Sequence, residues 1–199
     1  MKLLSSAYVR RLLHKKYVAV LGDSVNKDLV QILQNDDIWT GKQLKGKGDK
    51  SFANDTTDQQ LVGFYFLTHV SSEYKENVLA NFQHGPQPDV VIINSCIYDD
   101  SRYHEQSLQM YKNNLDHLFI RLTEVLSPKC LLICNTSMSV EFKAKGNFYS
   151  TTLADLHQLD VIDLHFHLRF KLHSRVNDAT HSNQLAHRKY TCILMAHID

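Results

Sequence analysis

The chain has 199 residues, 43% of them hydrophobic, and its 22 Lys and Arg nearly balance its 21 Asp and Glu. This fits one globular α/β-sized domain over residues 1–199 with a core of its own. A formal charge of +1 gives no general attraction to nucleic acid or an anionic membrane surface, and no stretch approaches the roughly 20 apolar residues of a bilayer span.

Ser6 opens a short predicted helix with Val9, Leu12 and Leu13 on one face. The first 16 residues carry Lys2, Arg10, Arg11, Lys15 and Lys16 without an acid, as mitochondrial presequences do. An apolar run follows at once, from residue 17, so a structural helix is the better reading. Residues 17–21 read as a buried strand, and Gly22-Asp23-Ser24 as a sharp turn into a short helix over 27–34. Residues 35–60 are polar and rich in Gly, Lys, Asp and Thr, the composition of a mobile loop. Within them, residues 41–48 nearly match a phosphate-binding loop. Gly48 stands where a magnesium-binding Ser or Thr is required and no apolar strand precedes, so a solvated basic loop is expected.

Residues 63–67 form a short strand signal, and 71–82 a helix with Glu73 and Glu76 in its early turns. Residues 89–93 are the clearest strand, continuous and β-branched as in the middle of a parallel sheet. Helical spacing runs over 107–126, residues 130–134 are a second buried strand, and 148–159 are helical. A last strand is predicted at 161–164 and a C-terminal helix at 183–197. Strands alternating with helices predict an α/β fold with a mainly parallel sheet and a site at the strand C-terminal ends.

Ser24 at a strand-to-helix turn is placed for nucleophilic attack, provided that a histidine can take its proton and a carboxylate can orient that histidine. Asp178-Ala179-Thr180-His181 supplies both groups. Either segment alone is also what an ordinary turn and helix cap looks like. Together, on these predicted elements, they favour a serine hydrolase. Asn94 leaves the strand at 89–93 and is the candidate side-chain donor for an oxyanion, beside the Ser24 backbone N–H.

Four cysteines, at 96, 130, 134 and 192, lack Cys-x-x-Cys spacing. Positions 130 and 134 would lie roughly 13 Å apart along a strand, too far to bridge, so reduced thiols and an intracellular, cytoplasmic setting are expected. Of twelve histidines, His165 and His167 would share a face of an extended segment near Asp163 and His173. No further ligands stand at a metal-binding spacing, so these read as structural or substrate-contacting groups, as does Arg102.

The ordered set Leu21-Gly22-Asp23-Ser24, Val91-Ile92-Ile93-Asn94-Ser95-Cys96-Ile97-Tyr98-Asp99 with Ser101-Arg102-Tyr103, Asp163-Leu164-His165-Phe166-His167, and Asp178-x-x-His181 with Ala186-His187-Arg188 resembles the PC-esterase domain-containing proteins of animals. These are a branch of the SGNH (GDSL-like) hydrolase superfamily. Phe64-Tyr65-Phe66-Leu67-Thr68 and Gly146-Asn147-Phe148-Tyr149-Ser150 resemble the same family.

The resemblance implies a flavodoxin-like three-layer fold and an acyl esterase acting on a small carbohydrate or lipid ester. Ser24 would be the nucleophile, His181 the base and Asp178 its partner, with no cofactor or metal. The chain departs from the family pattern in a helix after Ser24 about one turn shorter, in a shortened segment between Gly48 and Gly63, and in Tyr98 and Ser182 where tryptophans are usual. No position matches a second oxyanion glycine. The alternative is therefore a degenerate site on a fold kept as a binding or scaffold module.

Overall fold

The computed structural model describes residues 6–22, 39–43, 50–54, 61–67, 70–94, 105–137, 144–168, 170 and 184–199. Its strands are β1 (Tyr17–Gly22), β2 (Trp39–Gln43), β3 (Lys50–Asn54), β4 (Leu61–Phe66), β5 (Val90–Asn94), β6 (Leu131–Asn135) and β7 (Asp160–Ile162). Its helices are α1 (Ser6–Leu12), α2 (Glu73–His84), α3 (Glu105–Val125), α4 (Ala144–Leu156), α5 (Leu164–Leu168) and α6 (Gln184–Ile198). Among the described residues no helix is long and apolar enough to cross a membrane.

The strands form one seven-stranded sheet in the order β2-β3-β4-β1-β5-β6-β7. From β4 to β7 every neighbouring pair is parallel, whereas β2 and β3 add to the β4 edge antiparallel. The sheet is thus mainly parallel, as its apolar runs predict. All five residues of β5 are buried, because helices cover both faces and neither set of alternating side chains meets water.

Alternation along the strands divides the core in two. Val18, Val20, Val62, Phe64, Val90, Ile92 and Ile133 pack under α1, α5 and α6 through Leu13, Leu164, Leu168, Tyr190 and Leu194. Ala19, Leu21, Val91, Ile93 and Cys134 pack under α2, α3 and α4 through Leu79, Phe82, Leu115, Phe119, Leu122 and Leu153. Each large aliphatic side chain so buried contributes about 1.5–3 kcal/mol.

Polar groups set the elements in place. The Tyr17 N–H donates to Asp89 Oδ2 at 2.7 Å, the Asp89 N–H to the Tyr17 carbonyl at 2.8 Å and the Leu131 N–H to the Asp89 carbonyl at 2.8 Å. Asp89 therefore ties the starts of β1, β5 and β6 together. Ser72 caps α2, its Oγ accepting the Lys75 N–H at 3.1 Å. Near the end of α6, His197 Nε2 meets Asp160 Oδ2 at 2.8 Å, at the start of β7. Tyr190, Leu194, Met195 and Ile198 of this helix pack into the same core layer as β1, β5 and β6.

Three expectations are corrected. Residues 39–43 and 50–54 are β2 and β3 rather than loop. Their pairing comes from β4, which offers Leu61 to Phe64 to β3, and an antiparallel addition at a sheet edge needs no continuous apolar run. Gly41 to Gln43, the front of the phosphate-loop-like segment, consequently lies in β2 against Phe52 to Lys50. The last strand stops at Ile162, and Leu164 opens α5. The predicted helix at 27–34 falls outside the described residues.

Candidate active site

Two buried asparagines mark the C-terminal edge of the central strands. Asn94 ends β5 and Asn135 ends β6; they are register partners, and each is 1% exposed. Strand alternation puts both on the face of Ile92 and Ile133, the layer covered by α5 and α6. On the other side of β5, β1 ends at Gly22, whose carbonyl accepts the Leu67 N–H at 2.9 Å.

The exit of β6 is fastened in both directions. The Thr136 N–H donates to the Ile162 carbonyl at 3.1 Å, and the Thr136 hydroxyl to Asp163 Oδ1 at 3.0 Å. The same hydroxyl oxygen accepts the His165 N–H at 3.0 Å. Asp163 Oδ1 also accepts the Phe166 N–H at 2.9 Å, which makes Asp163 the N-cap of α5. Towards α4, Asn147 Oδ1 accepts the Ser137 N–H at 2.9 Å while its Nδ2 donates to the Ser137 carbonyl at 3.3 Å. Thr136, Ser137 and Asn147 are all buried. Among the described residues, Asn135 Oδ1 and His165 Nδ1 are buried without a hydrogen-bond partner.

Of the residues singled out in sequence, Asn94 stands at the strand end where it is expected. His165 and His167 lie in helical α5, not in an extended segment. Residues two apart on an α-helix are turned about 200° from one another, so they do not share a face. His165 is partly buried and His167 exposed. Ser24, Asp178, His181 and Arg102 lie outside the described residues. Chain continuity gives their nearest described neighbours: β1 ends at Gly22 and α6 begins at Gln184.

Asn135, Thr136 and the Asn147 clamp were not read from the sequence as site residues. A signal existed for Asn135, which closes an apolar run just as Asn94 does. The thiols within β6 and just before its start are structural. Burial pushes Cys134 up to about 12, and burial with the nearby Asp89 charge pushes Cys130 to about 11, so neither is a reactive nucleophile near neutrality. Among the described residues no group of three His, Cys, Asp or Glu side chains could hold a metal ion.

No protein-family model matches the chain. Individual proteins do. PC-esterase domain-containing protein 1A of Mus musculus is 39% identical over 96% of this chain and 54% of its own length. PC-esterase domain-containing protein 1B of Rattus norvegicus is 40% identical over 98% of this chain and 58% of its own length. The chain thus spans about half the length of the curated relatives it matches. Those alignments extend over 240 and 249 positions against 199 residues here, so the relatives carry segments within the matched region that this chain lacks.

Among solved structures, the acetyl xylan esterase AlAXEase superposes with a TM-score of 0.60 at 18% identity, covering 92% of this chain and all of that one. The psychrotrophic esterase EstA from Pseudoalteromonas sp. gives 0.57 at 13% identity, over 92% of this chain and 100% of its own. At such identities the likeness establishes the SGNH-like fold.

Proposed function

Because the chain belongs to the PC-esterase domain-containing protein family, we propose that it is an SGNH-type serine esterase acting on a small acyl ester. Ser24 attacks the ester carbonyl as His181 takes the hydroxyl proton, with Asp178 holding the imidazole and stabilising the imidazolium. The tetrahedral oxyanion is received by the Ser24 backbone N–H and the Asn94 side-chain amide. Collapse breaks the bond to the alcohol, which leaves with the proton from His181. Water then adds to the acyl-Ser24 intermediate, giving a proton to His181, and collapse releases the acid as the Ser24 oxygen takes that proton back. No metal or cofactor enters these steps.

The observation that carries this reading is Asn94. It is a carboxamide 1% exposed at the C-terminal end of a central strand, and that strand pairs with the one leading into Gly22-Asp23-Ser24, so its amide N–H is of the kind an oxyanion hole uses. A cytoplasmic setting belongs to the same proposal, supported by the free thiols Cys130, Cys134 and Cys192. The second reading, a binding or scaffold module on the same fold, is favoured by the segments that the relatives carry and this chain lacks. The family resemblance implies a second oxyanion glycine near the segment between Gly48 and Gly63, and one such donor is typically worth about 10²–10³ in rate.

Labelling with a fluorophosphonate probe separates the two. The wild-type chain is expected to label and Ser24→Ala is not, with low turnover of an activated ester that Asn94→Ala reduces by a further 10²-fold or so. Absence of Ser24-dependent labelling and turnover would leave the binding module. Robust turnover indifferent to Asn94→Ala would assign the oxyanion hole to other groups.

A further inference from the structure

The sheet ends differently at its two edges. At one, β7 has three residues, and Asp160 at its start meets His197 of α6 at 2.8 Å. At the other, β2 has five residues and, among the described residues, pairs on one side only, with β3. The backbone N–H and C=O groups on the outer side of such a strand are a template for one more strand. The charge of this edge has a single sign. Lys42 and Lys50 are the charged residues of β2 and β3, which contain no Asp or Glu. The sequence joining the two strands adds Lys45 and Lys47 against Asp49, which brings residues 39–54 to +3 in a chain whose formal total is +1.

We infer that the outer edge of β2 binds an acidic, extended peptide segment of a partner protein as an additional strand. Main-chain hydrogen bonds to the edge supply the affinity in this mode, and side chains supply the selectivity. Opposite charges on neighbouring strands attract and like charges repel. A second copy of this chain would set one basic hairpin against another within the Debye length of about 8 Å, so self-pairing is disfavoured. Lysines guard an edge strand against its own kind, and the same charge admits a strand of opposite sign. A nucleic acid or an anionic bilayer would use the lysines but not the row of main-chain groups, whereas an acidic strand uses both. β2 lies three strands from β1, about 14 Å away, so the segment docks apart from the ends of β1 and β5. The inference does not rest on the esterase reading.

The test titrates the chain by NMR with a blocked peptide in which Glu and Val alternate, about seven residues long and so able to cover β2 at about 3.4 Å per residue. Amide signals of residues 39–43 are expected to shift and to gain protection from hydrogen exchange, while those of residues 160–162 stay as they are. Binding is expected to weaken about tenfold or more in the variant carrying Lys42→Glu and Lys50→Glu, and to weaken with added salt in the wild-type chain. The variant carrying Lys42→Gln and Lys50→Gln, which removes the charge without adding repulsion, is expected to fall between the two.

A fully N-methylated peptide of the same charge separates strand addition from simple attraction. It has no main-chain N–H to donate and is expected to bind about tenfold more weakly or worse. Equal binding of the N-methylated peptide, equal binding of a peptide of alternating Lys and Val, or no shift at residues 39–43 with millimolar peptide each overturns the inference. Tighter binding at the same residues by a single-stranded oligonucleotide, or by vesicles rich in phosphatidylserine, also overturns it and assigns the edge to nucleic acid or a membrane. The Ser24→Ala chain is expected to bind the peptide as the wild type does. Such binding without Ser24-dependent turnover on any ester would keep this inference and reject the esterase, and turnover without peptide binding would do the reverse.

Discussion

Gly63 has no side chain where two tyrosines need the space. The Tyr17 and Tyr65 hydroxyls are 2.6 Å apart across it, and a methyl group built on Gly63 would lie 3.0 Å from the Tyr65 ring and 3.3 Å from each hydroxyl. Neither ring is free to retreat, since Phe82 packs edge-on against both, at 5.4 Å from Tyr65 and 6.4 Å from Tyr17. Burial and the adjacent Tyr65 push the Tyr17 phenol well above its ordinary range, so Tyr17 stays neutral. Gly63→Ala is therefore expected to lower stability by about 1–3 kcal/mol, the usual cost of overpacking. Denaturant unfolding checks this, and an unaltered midpoint would mean that the rings yield.

Helix α4 ends in a way its sequence does not advertise. Gln158 has φ 60, a left-handed conformation that ordinarily favours glycine. It is held there by two bonds, Leu159 N–H to the Ala154 carbonyl at 2.8 Å and Gln158 N–H to the Asp155 carbonyl at 3.0 Å. Ala154 and Leu159, at the two ends of the motif, share one core cluster. Burying Leu159 thus offsets the strain at Gln158. Gln158→Gly removes that strain without touching the packing, and a gain of about 0.5–1 kcal/mol is expected from the steric difference in this conformation. A loss on thermal unfolding would show that the Gln158 side chain contributes more than its backbone costs.

At the scale of the whole molecule, the sheet resists alkali only while its centre is closed. Cys134 lies in β6 with 0% exposure, and burial holds its thiol at about 12, above the ordinary value of 9.0. The folded state therefore binds this proton more tightly than the unfolded chain does. Its contribution is fully present below about pH 9 and is lost as pH rises towards 12. Unfolding free energy is expected to fall across that window, and Cys134→Val, which has no proton to lose, should flatten the slope. An identical slope in the variant would assign alkaline unfolding to Tyr17 and Cys130 instead, whose pKa values are also raised.

Continuous apolar runs ending at Leu21, Ile93 and Cys134 were sufficient to read β1, β5 and β6, because a strand covered on both faces must be apolar at every position. The helices over α2, α3, α4 and α6 were legible for a related reason: their spacing records one buried face. Ser24, Asp178 and His181 are known from sequence alone, as members of motifs. Pairing is different. That β2 and β3 extend the sheet depends on β4 accepting them, and that His165 is helical depends on the Asp163 cap held by Thr136. Asn135 became notable only when register set it beside Asn94. Local patterns record which side of each segment is buried, whereas partners distant in the chain, and polar atoms left without one, exist only once the segments meet.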